Sequence, residues 1–273
     1  MRGPWPRAMV PVMSARTGKI AAPRAALVTG AAKRIGREIA LALARDGWAV
    51  AVHYNRSRRD ADAVVREIAS GGGRAAAVKA DLAREAQTAA LVAQAARAVG
   101  PLTCLINNAS IFERDEAGSA TRASWDRHME INLRAPFVLT QHFARQLPRG
   151  RQGNVINLLD QRVWSLTPHF VSYTVSKSGL WTLTQTMALA LAPRIRVNGI
   201  GPGPTLPSPR QSQSQFRRQS AAMPLGRGAT PAEIADAVRF ILAAPSMTGQ
   251  MIALDGGQHL GWAQPGQRLM PPE

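Results

Sequence analysis

Short apolar runs alternate with longer stretches in which apolar residues recur every three to four positions, from residue 25 onward. A short, continuous apolar run predicts a strand that is buried on both faces, and the wider spacing predicts an amphipathic helix. Their alternation is typical of βαβ units, which build a parallel sheet. We predict strands near 25–30, 48–53, 75–79, 102–106, 153–159, 195–199 and 251–254.

Helices fill the intervals between these strands. In the stretch 171–192, Leu180, Leu183 and Met187 lie on one helical face, and Pro193 ends the helix. The elements together predict an α/β fold, a single Rossmann-type doubly wound parallel sheet of about seven strands with helices on both faces. We predict helices near 35–46, 59–70, 84–99, 124–147, 171–192 and 231–243.

One segment departs from this rhythm. Residues 202–226 are rich in proline and then polar from Gln211 to Gln219, and we predict no strand or helix there. Because the segment follows the carboxyl end of a strand, where open parallel sheets bind ligands, we expect a loop that covers the substrate. We therefore predict one domain over 23–262, a disordered basic tail over 1–22 and a short tail over 263–273.

Composition narrows the class of protein. The 273 residues are 45% hydrophobic and carry a formal net charge of +17, with arginines spread along the whole chain. Without a basic stripe interleaved with aromatic residues we expect no nucleic-acid partner, and the charge should attract anionic small molecules. No apolar run is long enough to span a membrane. The single cysteine, Cys104, excludes an internal disulfide and a zinc site of several thiolates, so we expect no metal and a cytoplasmic location.

A glycine-containing turn joins the first predicted strand to the first helix. It has the sequence Thr29-Gly30-Ala31-Ala32-Lys33-Arg34-Ile35-Gly36. Gly30 permits a tight turn, Gly36 permits close packing of helix on sheet, and the helix amino terminus offers N–H groups to a pyrophosphate. The turn therefore predicts a dinucleotide site that includes Gly30, Arg34, Ile35 and Gly36.

The end of the second strand predicts which dinucleotide is bound. An NAD site would place an acidic residue here to bond the ribose 2′-hydroxyl, whereas arginine suits a 2′-phosphate. The chain has arginine and no acid at this point, which favours NADP(H); the alternative is a solvated, charged face. The residues concerned are His53, Tyr54, Asn55, Arg56 and Ser57.

Two further segments follow strands at the same edge. Asp81, followed by Leu82, could bond the adenine or cap the next helix, and the sequence leaves both alternatives open. Asn108, Ala109 and Ser110 follow the fourth strand, which places their polar groups in the same crevice. We predict that both segments contact the cofactor.

Tyr173 and Lys177 lie one turn apart on the same face of a predicted helix. A neighbouring ammonium stabilises a phenolate and lowers the tyrosine pKa, so Tyr173 can exchange a proton while a nicotinamide exchanges a hydride. Asp160 ends the fifth predicted strand, thirteen residues before Tyr173. We predict that these three residues are catalytic.

The motifs from Thr29 to Gly36, Asn107 to Ala109, Asn132 and Tyr173 to Lys177 resemble the short-chain dehydrogenase/reductase family over 25–260. The resemblance implies that Asn132 supports the catalytic lysine and that Pro202 and Gly203 contact the nicotinamide. It also implies a homotetramer in which the helices 124–147 and 171–192 meet their symmetry mates. The position of Asp160 is usually a serine in this family.

Several departures from the family pattern resemble pteridine reductases in particular: Arg34 at a glycine position, Ser110 after Asn-Asn-Ala, Phe112, and Asp160. That resemblance implies that Phe112 stacks on a flat pterin and that Arg34 reaches both a cofactor phosphate and the pterin. The substrate-binding residues that it implies are Arg34, Ser110, Phe112, Asp160, Phe170 and Tyr173.

Three functions follow as hypotheses. The first is an NADPH-dependent reductase that converts a dihydropterin to a tetrahydropterin, with a proton from the Asp160–Tyr173 pair to the ring nitrogen. The second is a carbonyl reductase in which Asp160 only supports Tyr173. The third is a protein that binds NADPH or a pterin and signals its level. Stacking on Phe112 separates the first two, because it matters for a flat ring and little for an aliphatic ketone.

Overall fold

Seven strands form one sheet in the computed structural model, which describes residues 24–208 and 210–261. The order is β3-β2-β1-β4-β5-β6-β7, and every neighbouring pair is parallel. The chain therefore reverses its direction of winding between β1 and β4, which confirms the doubly wound sheet. The strands are β1 (Ala25–Val28), β2 (Ala49–Tyr54), β3 (Ala75–Lys79), β4 (Cys104–Asn107), β5 (Gly153–Leu158), β6 (Ile195–Pro202) and β7 (Met251–Leu254).

Helices cover both faces of the sheet. Along β1, Ala26 and Val28 point into one hydrophobic core with α1, α2 and α8, while Ala25 and Leu27 point into a second core with α3, α5 and α6. This alternation explains why the central strands are apolar at every position. The helices are α1 (Arg34–Arg45), α2 (Arg58–Ser70), α3 (Glu85–Val99), α4 (Arg122–Met129), α5 (Ala135–Gln146), α6 (Val171–Leu191), α7 (Gln213–Ala221) and α8 (Pro231–Ala243).

The prediction of one continuous helix over 124–147 is wrong. A five-residue π-helical turn, Glu130–Arg134, separates α4 from α5. Pro136 stands in the first turn of α5 and has no amide hydrogen to donate to the carbonyl of Asn132, four residues before it. A regular α-helix therefore cannot continue through this point, and π-helical turns of this kind occur frequently at functional sites.

The expectation of a loop throughout 202–226 is also wrong, since α7 forms within it. The Ser212 side chain accepts a hydrogen bond from the amide of Gln215, and the Gln215 side chain accepts one from the amide of Ser212. This reciprocal pair is a capping box, a sequence signal for a helix start. None of the helix residues is fully buried, so α7 is an amphipathic cover rather than part of the core.

Most other boundaries agree with the predictions to within two residues. The exception is β6, which continues to Pro202 because its last four residues pair with β7. That extension carries Pro202 to the carboxyl edge of the sheet. The tails predicted at 1–22 and 263–273, and the predicted domain ends at 23 and 262, lie outside the described residues.

Candidate active site

The turn between β1 and α1 is built around two glycines. Gly30 has φ +62°, a left-handed conformation that glycine adopts without strain. A Cβ on Gly36 would lie 2.4 Å from the carbonyl oxygen of Gly30 and 2.5 Å from Nδ2 of Asn108. Thr29 Oγ1 accepts hydrogen bonds from the amides of Asn108 (2.9 Å) and Ala109 (3.0 Å). The turn and the end of β4 therefore form one rigid cradle beside the amino terminus of α1.

Arg34 occupies the first helical position with φ +56°, which costs a non-glycine residue about 1–2 kcal/mol. Its Nη1 donates to the carbonyl of Pro207 (2.8 Å) and its Nη2 to that of Leu206 (3.3 Å). The guanidinium thus ties the cradle to the segment that follows β6. Arg34 and Ile35 both line the central cleft, where the sequence prediction placed them.

His53 lies beneath the glycine turn rather than on the surface. Its Nδ1 accepts a hydrogen bond from the Gly30 amide (3.0 Å), and its Nε2 donates to the carbonyl of Ala80 (3.1 Å). Burial lowers the pKa of His53 to about 4, although the bond to Ala80 opposes this, so the ring is neutral. His53 therefore positions the turn, and the side chain of Tyr54 is likewise buried in the core.

The predicted 2′-phosphate residues lie at the carboxyl end of β2. Arg56 is exposed and forms no ion pair with any residue in 24–208 or 210–261, whereas Arg58 pairs with Asp62 at 2.9 Å. Asn55 and Ser57 flank Arg56 in the turn to α2. This arrangement leaves Arg56, at the strand end, available to an anion.

Asp81 accepts hydrogen bonds from Asn55 Nδ2 (3.3 Å) and from the amide of Ala83 (3.1 Å). The cap alternative for Asp81 is wrong, because Arg84 is the N-cap of α3. Its carboxylate instead holds the turn beside Asn55, and the adenine contact stays a prediction. The side chain of Leu82 is buried in the core, so a cofactor contact there would use its backbone.

Asp160, Tyr173 and Lys177 come together at the end of β5. Tyr173 Oη donates to Asp160 Oδ2 (2.8 Å), and Asp160 Oδ1 accepts from the amide of Arg162 (2.8 Å), which fixes the carboxylate. Lys177 Nζ donates to the carbonyl of Leu158 (2.7 Å) and lies 5.8 Å from the Tyr173 ring centroid. A phenol, a carboxylate and an ammonium therefore share one pocket.

Lys177 is almost completely buried. Burial lowers the pKa of its ammonium to about 8, against the opposing effect of the Asp160 charge. The lysine is therefore charged at neutral pH, and its field favours the phenolate form of Tyr173.

Asn132 is fully buried inside the π-helical turn, not facing solvent. Its Oδ1 accepts from the amide of Ile111 (2.9 Å) and from Ser110 Oγ (3.1 Å). Its Nδ2 donates to the carbonyl of Ile111 (3.0 Å) and to Ser176 Oγ (3.1 Å). Asn132 therefore connects the segment after β4 to α6, the helix that carries Tyr173 and Lys177.

Aromatic rings form one wall of the site. Phe112 stacks on Phe170 with ring centroids 4.2 Å apart and planes within 9°, and it meets Tyr173 edge-on at 4.7 Å. The guanidinium of Arg162 lies 4.9 Å from the Phe170 ring, and that of Arg210 lies 5.8 Å from the Phe112 ring. Phe170 is buried and does not line the cleft, so it supports Phe112 from behind, and a flat, polar molecule would find the Phe112 ring and the cations here.

Sequence reasoning missed a buried cluster at the start of α6. Ser172 Oγ donates to Asp115 and lies 2.7 Å from His128 Nδ1, while the amide of Ser172 donates to Asp115 Oδ1 (3.1 Å). The His128 ring meets the Tyr173 ring edge-on at 6.0 Å. Only the position of Ser172 beside Tyr173 could have signalled this cluster, because its partners lie far away in sequence.

These residues surround a cleft of about 440 Å³ at the carboxyl ends of the strands. Pro202 and Gly203 line it at the end of β6, and Gly203 approaches Asp255 so closely that a Cβ would lie 2.7 Å from its Cα. The cleft brings together most of the predicted residues. Those lining it include Gly30, Arg34, Ile35, Gly36, Asn108, Ala109, Ser110, Phe112, Asp160, Tyr173, Lys177, Pro202 and Gly203.

A family model described as enoyl-(acyl carrier protein) reductase matches residues 30–259. With the Tyr173–Lys177 pair and the glycine turn, this match shows that the chain belongs to the short-chain dehydrogenase/reductase family. It is also 34% identical to the 3-oxoacyl-[acyl-carrier-protein] reductase FabG of Staphylococcus aureus strain Mu50, over 87% of this chain and 98% of that protein.

Among solved structures, the chain is similar to FolM alternative dihydrofolate reductase 1 of Brucella suis in complex with NADP, at 49% identity and a TM-score of 0.86. That match covers 89% of this chain and 97% of the other. The corresponding Brucella canis protein, also complexed with NADP, is 48% identical with a TM-score of 0.87, and the match covers 90% of this chain and 97% of that protein.

No helix among the described residues is long and apolar enough to cross a membrane.

Proposed function

We propose that the chain is an NADPH-dependent reductase that converts the C=N bond of a dihydropterin to CH–NH. The observation that carries the proposal is the hydrogen bond between Tyr173 Oη and Asp160 Oδ2, beside the Phe112 ring. A carboxyl group next to the phenol supplies a second proton carrier, and reduction at carbon requires a proton at the ring nitrogen. The two Brucella proteins, which are named FolM alternative dihydrofolate reductase 1, support the same class of substrate.

The residues fit NADP(H) as the cofactor. Gly36 lets the glycine turn pack closely against Asn108, which holds the amino terminus of α1 where a pyrophosphate would bind, and the exposed Arg56 suits a 2′-phosphate. When bound, the cofactor supplies a hydride. The residues that would hold it are Gly30, Arg34, Ile35, Gly36, Asn55, Arg56, Ser57, Asp81, Leu82, Asn108, Ala109, Ser110, Lys177, Pro202 and Gly203, with His53 and Tyr54 supporting them from below.

The proton for the ring nitrogen comes from the pair at the end of β5. One hydrogen lies between Tyr173 Oη and Asp160 Oδ2, so either oxygen can deliver it while the other stays within hydrogen-bond reach. The Lys177 ammonium stabilises the negative charge that remains on the pair. Ser110, Phe112 and Arg34 orient the ring by stacking and polar contacts, and the buried Phe170 supports the Phe112 ring from behind.

A carbonyl reductase is the second candidate, and the similarity to FabG favours it. In that case the substrate is a 3-oxoacyl thioester or another ketone, Tyr173 protonates the carbonyl oxygen, and Asp160 only holds Tyr173 in place. The stacked pair Phe112–Phe170 would then contribute little to turnover, because an aliphatic chain has no flat ring to stack.

Loss of NADPH absorbance is measured with dihydrobiopterin, dihydromonapterin and dihydrofolate beside ketones and a 3-oxoacyl thioester, for wild type, Phe112→Ala and the control Phe240→Ala. Phe240 is an exposed aromatic residue on α8 and does not line the cleft. Turnover of the pterins alone, lost at Phe112→Ala and kept at Phe240→Ala, supports the proposal. If ketones are turned over and Phe112→Ala does not change that rate, the carbonyl reductase replaces the proposal. A failure to oxidise NADPH in a single turnover with every substrate would favour the sensing protein.

We also propose a homotetramer assembled through α4, α5 and α6. Apolar side chains face outward on this surface, namely Val175 and Leu189 of α6 and Trp125 of α4. Light scattering on the eluting protein measures its mass, and Leu189→Glu should reduce that mass if the surface is an interface. A monomeric wild type would overturn this assembly.

A further inference from the structure

A second cleft, of about 500 Å³, opens at the opposite edge of the sheet. Its lining includes Arg24, just before β1, Trp48, just before β2, and Thr103, just before β4, together with Asn154 at the start of β5. Because the strands are parallel, this amino-terminal edge faces away from the loops that form the catalytic cleft. The two clefts share no lining residue.

Two residues that line this cleft carry a buried polar atom with no partner among residues 24–208 and 210–261: the hydroxyl Oγ1 of Thr103 and the amide oxygen Oδ1 of Asn154. Thr103 is only 6% exposed. Native proteins rarely leave buried polar atoms unpaired, so such atoms call for a ligand or a water. Gln161 and Gln258, which line the catalytic cleft, carry unpaired buried oxygens in the same way.

The cleft is also positively charged. Three arginines line it against one carboxylate, and Asp46 is already engaged by Arg239 through two hydrogen bonds of 2.8 Å. Arg24 donates to the backbone carbonyl of Asp46 and lies 5.1 Å from the Trp48 ring. Arg151 forms no ion pair with another described residue. The cleft therefore has two guanidinium groups that no carboxylate neutralises.

The geometry points to a second ligand site that binds an oxyanion, the carboxylate or phosphate of a small molecule, between Arg24 and Arg151. The Thr103 hydroxyl donates to the anion. The Asn154 amide donates as well once its NH₂ is turned inward, since no hydrogen bond holds its oxygen in place. Guanidinium groups suit oxyanions because their N–H groups pair with two oxygens at once.

The test is calorimetric titration of inorganic phosphate, and separately of citrate, into the full chain with one equivalent of NADP⁺ to fill the catalytic cleft. Arg151→Gln should weaken binding about tenfold or more, because it removes a charge-assisted hydrogen bond. Thr103→Val, which keeps the shape and removes the hydroxyl, should weaken it several-fold. Arg149→Gln is the matched control, because Arg149 is exposed on the same loop but does not line the cleft.

Saturable binding that Arg151→Gln weakens and Arg149→Gln does not would establish the site. If phosphate binds and citrate does not, the site is assigned to phosphorylated molecules. If citrate binds and phosphate does not, the site is assigned to carboxylates. Absence of saturable binding of both anions overturns the proposal, as does an equal loss in the two arginine variants, which would indicate diffuse charge attraction. If Thr103→Val does not fold, the comparison of Arg151→Gln with Arg149→Gln still tests the proposal.

Discussion

Ser172 donates a hydrogen bond through Oγ to Asp115, and Ser172 is the residue directly before Tyr173. Asp115 also accepts from the Ser172 amide (3.1 Å), and its backbone carbonyl accepts from the amide of Phe170 (2.8 Å). Asp115 lies three residues after Phe112 along the chain. One buried carboxylate thus joins the segment bearing Phe112 to the first turn of α6.

Ser172→Ala should lower the free energy of unfolding by about 1–3 kcal/mol, because it removes a buried hydrogen bond to the Asp115 carboxylate. It should also lower kcat more than it changes KM, since Tyr173 is displaced. Urea unfolding and steady-state kinetics measure the two effects. Ser178→Ala, a half-buried serine on the same helix, is the control. Equal effects of the two substitutions would contradict the positioning role.

The stability of the protein should fall on acidification from pH 6.5 towards pH 4. Burial lowers the pKa of His53 from 6.5 to about 4. As the pH falls, the unfolded state therefore binds a proton before the folded state does, and the stability that is present above pH 6.5 is lost. The full shift corresponds to about 3 kcal/mol. Burial lowers the pKa of His128 too, which acts in the same direction. Urea unfolding at several pH values should show a shallower decline for His53→Gln, and an unchanged slope would reject the assignment.

The rate of reduction should decline as pH rises through about 8. Below that value the buried Lys177 is an ammonium, and above it the charge that stabilises the phenolate of Tyr173 is lost. The Asp160 charge raises the pKa of Lys177, so Asp160→Asn should move the alkaline limb to lower pH as well as reduce kcat. A pH profile of kcat measures both, and a limb that stays fixed in Asp160→Asn would disprove the coupling.

Arg34→Gly and Arg34→Ala should differ in stability. Both lose the hydrogen bonds to Leu206 and Pro207, but at φ +56° glycine is unstrained, so Arg34→Gly should be more stable by about 1 kcal/mol. Exchange of the amide hydrogens of Thr205, Leu206 and Ser208 should speed up equally in both variants, because the bonds that hold this segment are gone. Unchanged exchange there would show that Arg34 does not hold the loop.

Arg56→Ala should reduce the preference for NADPH over NADH by about tenfold or more, because a charged hydrogen bond to the 2′-phosphate contributes about 1.5–3 kcal/mol. The ratio of kcat/KM for the two cofactors measures it. Arg66→Ala removes the same charge from an exposed position on α2 and should leave the ratio unchanged. A similar fall in both variants would mean that general attraction, and not a bond at Arg56, selects the cofactor.

The sequence by itself determined the strands, most of the helices, the glycine turn and the Tyr173–Lys177 pair. Each of these depends on residues close together in the chain: apolar periodicity, a turn that needs glycine, and two side chains one helical turn apart. The order of elements then implied the parallel sheet and the edge at which ligands bind. The helix α7 could also have been predicted from the sequence, because its Ser212–Gln215 capping box is a local signal.

Only the tertiary structure decided what lies around these residues. Asp115 and His128 reach Ser172 across 57 and 44 positions of sequence, and no local spacing records such contacts. The burial that holds His53 neutral and lowers the pKa of Lys177 arises from packing on every side. The second cleft likewise brings Arg24, Thr103 and Arg151 together from three separate strand ends. Periodicity specifies which residues are buried, but the folded sheet alone specifies which of them meet.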